Sequence, residues 1–379
     1  MTLGEHDAPA SLPEPIRTIV AAHDQGTVEA EAELPLHPDT VKRCLEDALL
    51  GANIGLLYAS LPTGLCQAEG DRAGLIIGNK SGRQVVRCQT VIDATETALV
   101  ARLAGGTFES PAAGTTRFAR TLEFDRVGSR GRAVLSIPEW LQIAENRVRL
   151  HRGYRGPAHV LVEIELDLAY TPDREGAGYV EWKARRRSMR LATWLVSAYP
   201  EFAGARFAGS AHELHGRWTL SLAGPIPAWF ESSASAAVRA RDSGGTATDP
   251  SLGHFAGPIP GLWCLNEASR LESGLAGTFL DPVRASRLGE DLAAAMLETW
   301  ATSELHSPIM TVPGWVDSGG ADATIDVREP ASPQRGRNYR RLHVPATAIP
   351  VHRIADELVA GGGSSGATAA ITAGREGLQ

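Results

Sequence analysis

The sequence has little cysteine, and none of it is arranged to bind metal. Its four cysteines, Cys44, Cys66, Cys88 and Cys264, form no Cys-x-x-Cys pair and have no histidine at ligand spacing. That argues against a zinc site or a disulfide framework and fits free thiols in a reducing compartment. No apolar run reaches the ~18 residues that a membrane span requires, and residues 1–15 are acidic and proline-bearing rather than signal-like. An excess of positive charge is also missing. The 37 Lys and Arg against 44 Asp and Glu leave a net charge of −7, which gives no long-range attraction for a phosphate backbone and argues against a nucleic-acid partner. The local run Lys183, Arg185, Arg186 and Arg187 reads as the solvated face of a helix. No P-loop and no His-Glu-x-x-His occurs, so phosphotransfer and zinc-peptidase chemistry have no residues to stand on. The expectation is a cytoplasmic, metal-free globular protein with no membrane partner. Its 379 residues, 43% hydrophobic and 21% charged, suffice for two or three packing units.

Periodicity supplies the elements. Val41, Cys44, Leu45, Ala48 and Leu49 recur at helical spacing and predict an amphipathic helix over 38–50, with Asp39 and Thr40 available at its start and a short helix over 13–22 before it. Strand-like runs follow at 54–59, 64–68 and 74–78, then a turn at Lys80, Ser81 and Gly82, and an apolar stretch over 83–95. Residues 159–168 alternate: Val160, Val162, Ile164 and Leu166 share one face, and His159, Leu161, Glu163, Glu165 and Asp167 the other. This is the pattern of a half-buried antiparallel strand. Helical spacing returns at 178–199, ended by Pro200, and at 281–302, where Leu288, Leu292, Ala295, Met296 and Trp300 form the apolar stripe. Residues 231–250 and 317–337 have linker composition.

Near the end, a short strand candidate over 356–360 meets Gly361, Gly362, Gly363, Ser364, Ser365 and Gly366, followed by an alanine-rich helical stretch over 367–377. The glycines satisfy Gly-x-Gly-x-x-Gly between strand and helix. Gly361 permits the tight turn, Gly363 lets backbone amides approach a diphosphate, Gly366 allows close helix packing, and Ser364 and Ser365 line the same turn. The other reading of the stretch is a flexible Gly/Ser tail.

Residues 357–379 resemble the opening of the flavin-binding domain of FAD-dependent oxidoreductases. Thr90, Val91, Ile92, Asp93, Ala94 and Thr95, followed by 98–106, resemble the internal segment of that family in which a strand ends in Asp-Ala-Thr-Gly near the flavin. Residues 38–105 are similar to that region as a whole. The resemblance implies FAD as cofactor, with Asp93 and Thr95 beside it. Glu96 stands where the family has glycine, and a carboxylate there would crowd and repel the flavin's diphosphate or ring edge. The strand is equally read as one that packs the core. Tyr199, Pro200, Glu201 and Phe202 followed by 212–217 lie where such proteins carry an Arg-Glu-Ser-Arg-Arg stretch. Only Glu213 and Arg217 echo it, while His212 and His215 are candidates for acid–base work or for local hydrogen bonding. Residues 261–268, with Gly274, Gly277 and the helix from Asp281, resemble the closing segment, whose helix N-terminus points at the flavin. The same residues also fit a core helix capped by Asp281 and Pro282.

The family's order is inverted, since its glycine fingerprint comes first and here comes last. The expectation is an α/β chain with an FAD-binding-like βαβ sheet and an antiparallel β substrate-type subdomain. Residues 1–37 would be a leader and 38–316 a degenerate module, in which 38–110 and 258–302 are cofactor-domain-like and 111–230 substrate-domain-like. Residues 317–350 would connect it to 351–379, the start of a second dinucleotide-binding βα unit. Two functions follow from the resemblance: hydride transfer from a small organic substrate to FAD by this chain as a part or subunit, or a non-catalytic flavoprotein-like module completed by a second chain or downstream domain.

Overall fold

A computed structural model describes residues 2–3, 12–23, 34–68, 72–80, 82–88, 90–95, 97–109, 114–128, 133–170, 176–212, 214–216, 221–227, 230, 251–271, 279 and 281–302. The glycine fingerprint at Gly361, Gly363, Ser364, Ser365 and Gly366 lies outside the described residues, as do Glu96, Glu213, Arg217, Gly274 and Gly277.

Helices α1 (Glu14–His23) and α2 (Pro38–Gly51) open the chain. The cap of α2 is His37, whose side chain accepts from the Asp39 amide at 3.2 Å, rather than Asp39 or Thr40. The expected strand over 54–59 is absent. Asn53 and Ala59 both take positive φ, 58° and 50°, which breaks an extended run at either end. An antiparallel meander follows, β1 (Leu61–Ala68), β2 (Arg72–Asn79) and β3 (Gly82–Cys88), with a bulge between Pro62 and Gly64. Then come β4 (Val91–Asp93) and the short helix α3 (Leu99–Leu103).

The middle of the chain builds the antiparallel sheet that the alternation predicts. Its strands are β5 (Gly114–Asp125), β6 (Val134–Ser136), β7 (Arg147–Arg152), β8 (Val160–Tyr170), β9 (Arg206–Ser210) and β10 (His215–Gly216). The order is β9-β5-β8-β7-β6, with β10 also paired to β5. Val160, Val162, Ile164, Leu166 and Leu168 are buried and pack under α4 (Gly176–Ala198), which presents Val180, Ala184, Leu191, Ala192 and Leu195 to them. Pro200 ends α4, as expected, by starting a 3₁₀ turn. One ion pair rivets helix to sheet. Arg120 on β5, only 1% exposed, donates to both carboxylate oxygens of Glu181 at 2.5 and 2.6 Å, and Glu181 also takes Arg185. Burial pushes the Glu181 carboxyl upward, but the hydrogen bonds from Arg120 and Arg185 outweigh it and hold the group below its ordinary range.

His159 departs from its expected exposed face. It is buried over Gly153, where a Cβ would stand 2.1 Å from its Nδ1, so only glycine admits the ring. The ring lies edge-on to Tyr154, whose hydroxyl donates to Glu123 at 2.9 Å and whose ring also meets His37 edge-on. Burial first, then the Arg155 charge, depress the His159 pKa. Among the described residues the chain closes with β11 (Leu262–Cys264) and α5 (Pro282–Thr302). No described helix is long and apolar enough to cross a membrane.

Candidate functional site

Strand β11 returns from far along the chain to lie parallel to β4, with Leu262 opposite Val91, Trp263 opposite Ile92 and Cys264 opposite Asp93. The pair is cemented from below by Val91, Ala98, Val100, Ala101, Leu262 and Cys264, all buried. Parallel strands that share a register deliver their carboxyl ends to one edge, the edge where open α/β sheets hold ligands.

At that edge the two strands end in the same local device. Asp93 is fully buried, and its Oδ1 accepts from the Thr95 amide at 3.1 Å and the Thr95 hydroxyl at 2.6 Å. Beside it, Asn266 Oδ1 accepts from the Ala268 amide at 3.0 Å. Both are Asx turns, in which a short side chain bonds the backbone two residues on. The turns are also stitched together. The Asp93 carbonyl accepts from the Asn266 side-chain amide at 2.8 Å and from the Leu265 amide at 2.9 Å. Asp93 Oδ2 reaches the Ala101 amide at 2.9 Å and Thr95 Oγ1 the Leu99 amide at 2.8 Å, so the first turn of α3 is anchored to the same cluster. Ser269 donates to the Asn266 carbonyl at 2.7 Å, while the Leu222 amide donates to the Ala268 carbonyl at 2.9 Å.

Asp93 and Thr95, the residues expected beside the cofactor, are therefore together, and their polar atoms are spent on shaping the edge. The role of Asn266 and Ser269 escaped the sequence reading, although an asparagine closing an apolar strand is a turn signal. Cys264 beneath them is buried, and burial followed by the Asp93 charge pushes its thiol up to about 12, which makes it a packing residue. The helix start at Asp281, common to the cofactor reading and the core-helix reading, carries its own cap. Asp281 Oδ1 accepts from the Val283 and Arg284 amides at 2.9 and 3.3 Å.

The fit to an anionic dinucleotide rests on Arg270, which leaves the Asn266 turn. Its guanidinium is half-buried, its Nε is buried without a hydrogen-bond partner, one terminal nitrogen donates to the Ala256 carbonyl, and no carboxylate pairs with it among the described residues. Burial lowers its pKa, so the charge stands in a poorly solvated place. A half-buried guanidinium that no described carboxylate neutralises, following the Asn266 turn in the chain, is the chemistry that a diphosphate matches. His212 stands elsewhere, exposed in the bend after β9. His215 lies on β10 opposite Ala119, so His215 belongs to the antiparallel sheet and His212 to the bend after β9. Among the described residues no hydrogen bond joins His212 to the Asp93 cluster.

Residues 11–224, more than half of the chain, match a family described as FAD dependent oxidoreductase. None of the curated proteins matches. Solved structures that resemble the chain include a geranylgeranyl bacteriochlorophyll reductase-like protein from Thermoplasma acidophilum, at 15% identity and TM-score 0.42 over 73% of this chain and 57% of that one. Another is p-nitrophenol 4-monooxygenase from Pseudomonas putida, at 14% identity and TM-score 0.43 over 73% and 59%. A third is anhydrotetracycline hydroxylase from Streptomyces rimosus, at 12% identity and TM-score 0.36 over 79% and 52%. The chain thus spans between about half and three-fifths of the length of these proteins.

Proposed function

Because the chain belongs to the FAD dependent oxidoreductase family, we propose that it forms part or a subunit of an enzyme that moves hydride from a small organic substrate to flavin. The observation that carries this reading is the parallel pairing of β4 with β11, which sets two Asx turns at one sheet edge, the second followed in the chain by Arg270, which no described carboxylate neutralises. In this reading Asp93 and Asn266 hold the two turns in register. Arg270 then receives the cofactor's diphosphate, with Gly274 and Gly277 as its loop, while Gly361, Gly363, Ser364, Ser365 and Gly366 form by themselves the diphosphate-binding turn of a second dinucleotide unit. Bound FAD supplies the two-electron acceptor. His212 in the bend after β9 and His215 on β10 take or give the substrate's proton, and Arg217 orients the substrate's polar group. The division into a module over 38–316 and a second unit over 351–379 belongs to the same proposal.

A second reading, a non-catalytic module completed by another chain or domain, is favoured by one observation. The Asp93 carboxylate and the first amides of α5 are already satisfied by the chain's own groups. The absorption spectrum of the purified chain, before and after incubation with FAD and gel filtration, separates the two. Stoichiometric retained flavin supports the enzyme reading. A colourless protein that takes up none supports the module.

A further inference from the structure

The basic run on α4 does more than solvate a helix. The 23-residue helix carries five cations, Lys183, Arg185, Arg186, Arg187 and Arg190, against the single carboxylate of Glu181, in a chain whose net charge is −7. Two of the cations are committed: Arg185 to Glu181, and Arg187 to the Gln142 and Asp167 carbonyls. The other three, Lys183, Arg186 and Arg190, pair with no carboxylate among the described residues. Each instead lies over the ring of an aromatic residue that is itself about half exposed. Lys183 is 4.2 Å from the centroid of Tyr179, Arg186 4.9 Å from that of Trp182, and Arg190 5.5 Å from that of Trp140. Tyr179 and Trp182 stack on one another at 5.5 Å, and exposed Met189 continues the line. Tyr179, Trp182, Arg186 and Met189 follow helical spacing on the face opposite Val180, Ala184 and Leu191, so rings and cations share one stripe roughly 16 Å long.

We propose that this outer face of α4, with Trp140 beside it, docks the protein on an anionic phospholipid surface. Large rings that are apolar in body and polar at the tip, interleaved with cations that no described carboxylate pairs, match the boundary between acyl chains and charged headgroups. A peptide partner would call for a groove. The stripe is the convex back of a helix laid on a sheet, and it meets a plane. The docking does not depend on the flavin reading.

The test is co-sedimentation of the full chain with vesicles of phosphatidylcholine alone and of phosphatidylcholine with phosphatidylserine. Binding to the anionic vesicles only, abolished by high salt, is expected. Lys183→Gln, Arg186→Gln and Arg190→Gln should each lower partition about fivefold, with far-UV dichroism unchanged. Brominated acyl chains should quench the bound wild type, and Trp182→Phe should lose part of that quenching. Failure of the folded wild type to sediment with anionic vesicles overturns the proposal. So does binding that the three neutralised variants retain in full, or binding to polyglutamate with none to vesicles, which would mark an acidic protein surface as the partner.

Discussion

Replacing Asp93 by Asn tests the architecture of the site edge, because the two side chains have nearly the same shape and differ in what they can accept. The native carboxylate takes three donors: the Thr95 amide and hydroxyl on Oδ1 and the Ala101 amide on Oδ2. An Asn oxygen can keep both Thr95 donors at neutral strength. Its amide nitrogen then confronts the Ala101 N–H, donor against donor, at a contact that is now 2.9 Å. A buried amide left unsatisfied costs about 1–3 kcal/mol, and weakening two charge-assisted bonds to neutral ones costs about 1 kcal/mol each. Asp93→Asn should therefore destabilise the fold by about 3–5 kcal/mol. Asp93→Ala, which orphans two buried amides, should cost as much or more. The assay is urea unfolding followed by circular dichroism, with the slope unchanged and the midpoint lowered. An Asn variant within about 1 kcal/mol of wild type would refute the claim that Asp93 is the acceptor organising this edge.

Glu181→Ala should cost about 3–5 kcal/mol by leaving the guanidinium of Arg120 buried without its carboxylate, and Arg120→Leu combined with Glu181→Leu should recover most of that in the same unfolding assay. Gly153→Ala forces a methyl into the His159 ring and should lower stability by about 1–3 kcal/mol, with partial rescue by His159→Ala. For pH, His159 has a folded pKa depressed below 6.5, so its contribution is present above that value and is lost as pH falls through the depressed one. Glu163, held down mainly by its hydrogen bond from His151, and Glu181 lose theirs only further down, as pH falls below 4.5 through their lowered values. The urea midpoint should therefore begin to drop as pH falls below 6.5, and His159→Gln should flatten that portion of the curve.

Local signals were legible in the sequence because they depend on neighbours a few residues apart. The helices ending near Gly51 and at Ala198, and the alternation of Val160, Val162, Ile164 and Leu166, all reappear in the fold. Non-local pairing was not legible in the same way. Nothing in the composition of 91–93 or 262–264 states that these strands lie side by side, since a parallel pair needs a long connection and its register is set by packing. The resemblance of each segment to a flavin family was the only pointer to their proximity. His159 alternated correctly with Val160, but the hairpin over Gly153 turned its ring inward, a tertiary effect that periodicity cannot carry. At Asn53 and Ala59, left-handed backbone overrode an apolar run that read as a strand.

The most direct measurement is the equilibrium affinity of the full chain for FAD, by quenching of flavin fluorescence, in the wild type and in Arg270→Gln. If the edge formed by β4 and β11 receives the diphosphate, the wild type binds FAD and the variant binds at least about tenfold more weakly, with its unfolding midpoint unchanged. Equal affinity in the two proteins, or no binding by either, would contradict the assignment of that edge as the cofactor site.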